Sequence, residues 1–477
     1  MSETLKQKTA RGLFWATVNS GGTQVLNLVI GIFLARLLSP ADYGVVGVLA
    51  IFTAIAGCLQ ESGFTQAIIN LKNPTEKDYN SVFWFNITVS LTLYVILFFC
   101  APIIALWFHQ PILEPLSRLL FVTFILSALG IVPNAMLMKQ VRQREKAAIS
   151  LTALVVSGLT GIILAWQGYS YWALVWLQVT YNLVTLIGRY IVVRWLPAFH
   201  FSAEPIRRMF GFGSKLLLTS IVNAVSLNVL SVIFGRMYKI DDVGNYTQAA
   251  KWELMGHSLI TYTITQVAQP VMAELNNEQQ RQQQAFRKLL RFTAFLTLPV
   301  MFGLALVAHE FIIIAISAKW EAAVPLLQLL CLGGAALPFH ALYQQLAISR
   351  GRSDIYMWCG IGLIVAQMTL VLLLSSQPII VLVAVYAALH VVWLAVLHAT
   401  AGKLIALRWT DMLRDILPFV LITLFVMGIT YVATQWITKL WLLLVARILL
   451  AVVLYVLIMY LTKAQIFREA IAFLRRS

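Results

Sequence analysis

From residue 12 to residue 462 the chain is a succession of apolar runs, most of twenty residues or more, separated by short polar turns. A helix needs about 20 mostly apolar residues to cross a hydrocarbon core of roughly 30 Å. In that solvent every backbone amide must find its partner inside the protein, which leaves helices and closed barrels as the only spanning structures. Barrel strands would read as alternating ten-residue segments, and these runs do not alternate. The fold class is therefore all-α, a polytopic membrane protein. Composition agrees: 60% of the 477 residues are hydrophobic and 11% charged, with a mean hydropathy of +0.83, whereas about a quarter of a soluble domain is charged.

Charges, Pro and Gly at the ends of the runs predict fourteen spans, near 12–37, 43–69, 80–108, 116–138, 147–166, 170–193, 211–236, 243–273, 288–316, 322–348, 355–375, 378–401, 413–436 and 441–462. Lys and Arg in short loops mark the cytoplasmic side. With fourteen spans they collect heavily on one side, in clusters such as Lys139, Arg142, Arg144 and Lys146, while the other side keeps little beyond Arg36, Arg118, Arg236, Lys239, Lys319 and Lys439. The expected location is the bacterial inner membrane, with both termini cytoplasmic. The N-terminus, MSETLKQKTARGLFW, lacks a short apolar core followed by a small-residue cleavage site, so the first span is expected to be retained.

One stretch is nearly repeated. Residues 33–46 read FLARLLSPADYGVV and residues 233–246 read IFGRMYKIDDVGNY, so Arg36, Asp42 and Gly44 recur as Arg236, Asp242 and Gly244. Each copy joins the first two spans of a group of six, and both turns fall on the periplasmic side. Two groups of equal orientation form a parallel repeat about an axis along the membrane normal, the arrangement of rocking transporters. The expected domains are an N-lobe at 1–200, a C-lobe at 201–405, and a terminal helix pair with its tail at 406–477.

The stretch FLARLLSPADYGVVGVLAIFTAIAGCLQESGFTQAIINLKNPTEKDYNSVFWFN resembles the first three helices of Wzx-type polysaccharide exporters, within the multidrug/oligosaccharidyl-lipid/polysaccharide exporter superfamily. DDVGNYTQAAKWE, ITQVAQPVMAEL and SAKWEAAVPLLQLLCLGG resemble the same family, particularly its colanic-acid-exporter-like branch. The resemblance covers roughly residues 1–400. It implies a flippase that carries undecaprenyl-pyrophosphate-linked oligosaccharide from the cytoplasmic to the periplasmic leaflet in the synthesis of a surface polysaccharide; alternating access is expected from the repeat, and the energy source would be an ion gradient or removal of the product. Its partners would be that lipid-linked substrate, membrane lipids and other polysaccharide-assembly membrane proteins.

A charged, hydrated head group needs a polar cavity, and ionisable residues inside a membrane tend to face one. The candidates for substrate binding are Lys251 in the eighth span, Arg36 and Arg236 at the repeated turns, and a polar stripe of Ser20, Gln24 and Asn27 on the first span. A second stripe, Ser220, Asn223, Ser226 and Asn228, lies on the seventh span, with Asn223 the residue singled out. Glu61 and Glu253 are the candidates for ion coupling. Each has a structural alternative. Arg36 and Arg236 sit where long side chains snorkel, Lys251 can pair with a carboxylate, and Glu61 can pair with another helix or sit in a hydrated mouth. Asp42 and Asp242 are read as helix caps and Gly44 and Gly244 as sites of close helix approach. Arg447 can snorkel or bridge to another helix, and the polar run at 276–292 reads either as an amphipathic helix on the inner leaflet or as a solvated loop.

Other chemistry is disfavoured. The basic balance, +16 in formal charge, follows from the loop charges rather than from a nucleic-acid surface. Cys58, Cys100, Cys331 and Cys359 lie in apolar runs as small hydrophobes, no metal spacing or Walker motif is visible, and no cofactor is expected. His257, His340, His390 and His398 are isolated on apolar helices and read as packing residues. A multidrug or cation antiporter of the same superfamily is the alternative, but intramembrane acids should then outnumber bases in the N-lobe, and Glu61 stands nearly alone there. A glycosyltransferase, ligase or polymerase would need a sizeable loop to hold catalytic groups, and the loops are short, so the chain is not read as an enzyme.

Overall fold

The computed structural model describes residues 5–61, 64–462 and 464–474. It is helical throughout, and no strand occurs among the described residues. Contacts divide the chain into two compact units, Met1–Gly244 and Asn245–Ser477. The first holds α1 (Leu5–Leu37), α2 (Pro40–Gly47), α3 (Ala50–Glu61), α4 (Phe64–Asn70), α5 (Glu76–Trp107), α6 (Leu113–Leu120), α7 (Val122–Leu129), α8 (Ile131–Lys139), α9 (Gln143–Trp166), α10 (Tyr171–Val193) and α11 (Ala203–Met237). Helix α12 (Ile240–Glu274) opens at the end of the first unit and continues into the second. There follow α13 (Gln279–Leu306), α14 (Ala308–Ile316), α15 (Ala323–Gly334), α16 (Leu337–Ser349), α17 (Ser353–Leu373), α18 (Ile379–Ala401), α19 (Trp409–Thr434), α20 (Leu440–Leu461) and α21 (Gln465–Leu474).

By length and apolarity, nine helices among the described residues can cross a membrane, and eleven if two bent pairs each count as one span. Helices α10, α11 and α12 are not among them, and they account for the difference from the fourteen expected. Helix α10 carries Gln178, Asn182 and Arg189, and α12 carries Asp241, Asp242, Lys251 and Glu253, residues that lower the hydropathy of helices long enough to span.

The bends have local causes. Pro40–Gly47 and Ala50–Cys58 meet at 47°, and Leu113–Leu129 and Ile131–Lys139 at 44°. At the second, Pro133 has no N–H to offer the carbonyl four residues back, so the ladder breaks there. The freed Leu129 carbonyl accepts from the Tyr190 hydroxyl at 3.1 Å, and the Gly130 carbonyl accepts from Arg189 Nη1 at 3.4 Å. The proline thus leaves a carbonyl for Tyr190, while Arg189 shares the Gly130 carbonyl with the Asn134 N–H.

The segment between α10 and α11 is stapled to the start of α5. Trp84 Nε1 donates to the Ala198 carbonyl at 2.9 Å, the Ala198 N–H to Asn80 Oδ1 at 2.7 Å, and the Ser202 N–H to Ser81 Oγ at 3.0 Å. Arg208 pairs with the buried Asp78 at 2.6 Å and Lys77 with Glu204 at 2.9 Å. The neighbouring Lys77 ammonium holds the Glu204 carboxyl below its ordinary value. These contacts place α11 in the first compact unit.

The repeated turns meet within that unit. A methyl group at Gly44 would lie 2.0 Å from the Ile240 carbonyl oxygen, and one at Gly244 would lie 1.8 Å from the Pro40 carbonyl oxygen. Pro40 and Ile240 are themselves equivalent positions of the repeat, so the contact is reciprocal: each copy seats its glycine on the other copy's helix start. Asp42 caps as expected. Its carboxylate accepts from the Ser39 N–H at 2.8 Å and the Ser39 hydroxyl at 2.7 Å, its own N–H donates to Ser39 Oγ at 3.3 Å, and the Ser170 hydroxyl also donates to it. Asp242 lies in the first turn of α12.

In the second unit the buried Arg447 on α20 pairs with Glu310 on α14 at 2.7 Å and donates to Thr434 and to the Leu306 carbonyl. Of the two readings of Arg447, bridging is the one observed. Most of the polar run at 276–292 is helical and forms the first turns of α13, with Gln282, Phe286 and Leu290 on its buried face. Gln282 is fully buried and donates to the Met272 carbonyl at 2.7 Å. Arg287 holds Asp415 with bonds of 2.7 and 3.2 Å and lies 3.1 Å from Asp411, and Lys288 pairs with Glu469. Carboxylates on α19 and α21, rather than lipid, take up these cations.

Two outcomes follow for purified protein followed by thermal unfolding. Gly44→Ala or Gly244→Ala drives a methyl into backbone atoms that cannot turn aside and costs about 1–3 kcal/mol, whereas Gly21→Ala, inside α1 with no neighbour within 4 Å, stabilises by about 0.5–1 kcal/mol. Arg447→Leu leaves a buried carboxylate uncompensated and costs about 3–5 kcal/mol, most of which Arg447→Leu/Glu310→Leu recovers.

Candidate polar cavity

Five helices of the first unit enclose a cavity of about 610 Å³. Helix α1 contributes Asn19, Thr23 and Asn27, which share one face because they recur every four residues. Thr53, Ala56 and Gly57 come from α3, Thr123 and Ser127 from α7, and Lys146, Ser150 and Leu154 from α9. Helix α10 supplies the rest, Leu177, Gln178, Tyr181, Asn182, Thr185 and Arg189.

The lining is chemically one-sided. It offers two cations, four side-chain amides and seven hydroxyls, and no Asp or Glu is among the residues that form it. Arg189 is 7% exposed, and its Nη1 donates to the Gly130 carbonyl at the α7–α8 bend. The basic cluster at the start of α9 divides its charges: Arg142 pairs with Glu145 at 3.1 Å, the Arg144 guanidinium sits 5.7 Å from the Trp15 ring centre, and Lys146 alone of the three reaches the cavity wall. Asn19 Oδ1 and Thr185 Oγ1 are buried and make no hydrogen bond among the described residues. Guanidinium and ammonium groups beside amides and hydroxyls suit an anionic group, phosphate above all, carrying hydroxyl-rich substituents.

The residues singled out in the sequence distribute unevenly. Asn27 lines the cavity, while Ser20 and Gln24 on the same helix do not, because the inward face of α1 runs through Asn19, Thr23 and Asn27. Arg36 closes α1 at an exposed position, and Arg236 closes α11 with Nη1 donating to His109 Nδ1 at 2.8 Å. Lys251 belongs to the second unit, its ammonium 5.4 Å from the Trp252 ring centre. Glu253, also in that unit, lies 3.4 Å from His257. The side chains of Glu61 and Asn223 lie outside the described residues. Lys146 and Arg189 were visible in the sequence only as charges at the ends of spans, where the inside-positive bias accounts for any cation. What distinguishes Arg189 is its register with Gln178, Asn182 and Thr185 on one face of α10.

Comparisons with known proteins agree on one grouping. The succinoglycan biosynthesis transport protein ExoT of Rhizobium meliloti is 24% identical over 88% of this chain and 83% of its own length. The lipopolysaccharide biosynthesis protein WzxC of Escherichia coli is 24% identical over 74% of this chain and 72% of its own. In architecture the chain is similar to the lipid II flippase MurJ in an inward closed conformation, with a TM-score of 0.79 at 14% identity over 96% of this chain and all of that one. Residues 33–325, more than half the chain, match the family described as polysaccharide biosynthesis protein. The chain is a multi-pass membrane protein and belongs to that polysaccharide biosynthesis family.

Proposed function

We propose that the protein is a transporter, not an enzyme, that carries the pyrophosphate-linked glycan of an undecaprenyl-borne oligosaccharide from the cytoplasmic to the periplasmic leaflet of the bacterial inner membrane, with both termini cytoplasmic. The observation that carries this reading is the acid-free cavity with Lys146 and Arg189 in its wall. At about 610 Å³ it falls within the roughly 300–1,000 Å³ of small-molecule sites, room for the charged head and part of a glycan. The lipid tail stays in the membrane. Relatives named for succinoglycan and lipopolysaccharide synthesis support a glycan cargo, and a neighbour named a lipid II flippase supports a lipid carrier. Its surroundings in the cell would be membrane lipids and the other membrane proteins of polysaccharide assembly.

In this reading the lobes at 1–200 and 201–405 rock in alternating access, and the pair at 406–477 is an addition to them. Lys146 and Arg189 hold the pyrophosphate, while Asn19, Asn27, Gln178 and Asn182 receive sugar hydroxyls. Lys251, Arg36, Arg236, Ser20, Gln24 and Asn223 are further contacts along the path, and Glu61 or Glu253 couples the cycle to an ion.

Deleting the gene tests the whole reading: surface glycan is lost and the lipid-linked oligosaccharide accumulates in the cytoplasmic leaflet. Normal surface glycan with new drug sensitivity would overturn it in favour of the antiporter. Among point variants at normal expression, Arg189→Ala or Lys146→Ala each removes a charge-assisted bond of about 1.5–3 kcal/mol, a loss of about ten- to hundredfold in export at limiting substrate. Arg189→Lys recovers part of it. Full export by Lys251→Ala removes that residue from the path, and unchanged export by Glu61→Gln at every external pH removes it from coupling.

A further inference from the structure

The histidines read as packing residues include one in the second unit whose Nε2 faces a carboxylate oxygen in a nearly buried pair. Glu253 and His257 lie one turn apart on α12, almost buried, with Oε1 3.4 Å from Nε2. The Thr261 hydroxyl lies 3.0 Å from the His257 carbonyl and 3.2 Å from His257 Nδ1, and when it donates to the carbonyl its oxygen accepts from Nδ1. In that tautomer the Nδ1 proton is committed. In the neutral ring Nε2 is then a lone pair, aimed at a carboxylate oxygen that is also an acceptor. Two acceptors facing each other away from water repel unless a proton lies between them, and Nε2 has no other hydrogen-bond partner among the described residues.

The packing keeps this pair in place. A methyl at Gly334 on α15 would lie 2.0 Å from Glu253 Oε1, and one at Gly333 would lie 2.6 Å from Ala387 Cα on α18. The two glycines therefore admit the carboxylate on one side and the α18 backbone on the other. The titratable side chains facing Glu253, apart from His257, are Tyr246 on α12, Cys331 on α15 and Tyr386 on α18. His390, one turn beyond Tyr386, is 4% exposed, and neither ring nitrogen has a hydrogen-bond partner among the described residues. The titratable groups facing it are His257, His340 and Tyr386, whose ring centre lies 4.6 Å from that of His390. His340 Nε2 donates to the His390 carbonyl at 2.8 Å, and the two rings are 5.6 Å apart.

We propose that Glu253 and His257 form a binding site for one exchangeable proton, with His390 and His340 as onward acceptors, and that its binding and release drive the transport cycle; the coupling rests on the transport reading above. The proton moves between Oε1 and Nε2 and leaves to the next imidazole or to water, with no other bond made or broken. The site suits a proton rather than a metal. Hard cations take a shell of oxygens, which one carboxylate among imidazoles does not provide, and among the described residues no three His, Cys, Asp or Glu side chains are grouped to hold a metal ion.

The test is an infrared pH titration of the full-length protein in lipid nanodiscs, in H2O and D2O, with export measured in the deletion strain carrying the same variants. Wild type shows a protonated-carboxyl band that titrates and shifts in D2O. Glu253→Gln abolishes it, Glu253→Asp restores one, and His257→Gln, which leaves the acid in place, moves its midpoint. In cells Glu253→Gln and His257→Gln lose the dependence of export on external pH. A spectrum unchanged by Glu253→Gln, or a midpoint unmoved by His257→Gln, overturns the proton site. Wild-type export by Glu253→Gln at every external pH overturns coupling and leaves the transporter standing. Normal glycan in the deletion strain overturns transport and leaves the proton site to the spectrum.

Discussion

Hydrocarbon offers a charge nothing to bond to, and this one deficiency sorts the polar residues of the protein into two kinds. Some are consumed by other protein groups. Arg447 meets Glu310 at 2.7 Å inside the second unit, Arg287 grips Asp415 with two bonds, and Asp78 takes Arg208. Such pairs return little net stability, because desolvating two ions offsets most of their attraction, but they fix which helices can sit together. Others face a cavity whose wall contains cations, amides and hydroxyls but no carboxylate. A membrane protein bears that cost where the cavity has an occupant.

The near-duplicate turns belong to the first kind. The recurrence at an offset of 200 marks two related halves, and of its residues only the arginines are candidates for substrate contact. In the folded chain Asp42 is spent on its own helix start and on Ser170, and the glycines are spent on reciprocal contacts with Ile240 and Pro40. The duplication is preserved in packing: the same residue performs the same service for the opposite copy.

The architecture was largely legible from the chain because the bilayer imposes it. Apolar run lengths gave the helices, and the class followed from the absence of alternation. The bends at Val48–Leu49 and Gly130 were not legible, since both lie inside runs that read as continuous; only Pro133 hinted at the second. The cavity was legible in kind but not in detail. Helix α1 is polar over a wide arc, so Ser20, Gln24 and Asn27 were as plausible a face as Asn19, Thr23 and Asn27, and only the packing of α9 and α10 decides between them. Lys146 and Arg189 were hidden by a rule that explains every cation near a membrane edge. The pairing of Glu253 with His257 is local and was within reach, whereas His340 and His390 join it from helices far along the chain, and no spacing in the sequence announces them.

The most direct measurement is translocation by the purified protein. Reconstituted alone into liposomes with a fluorescent oligosaccharide linked through pyrophosphate to a polyprenyl chain, it should speed exchange of the labelled head between leaflets, while a dansylated phosphatidylcholine of similar size stays put. No acceleration by folded protein, or equal movement of the phospholipid, would contradict a cavity built for a pyrophosphate-linked glycan.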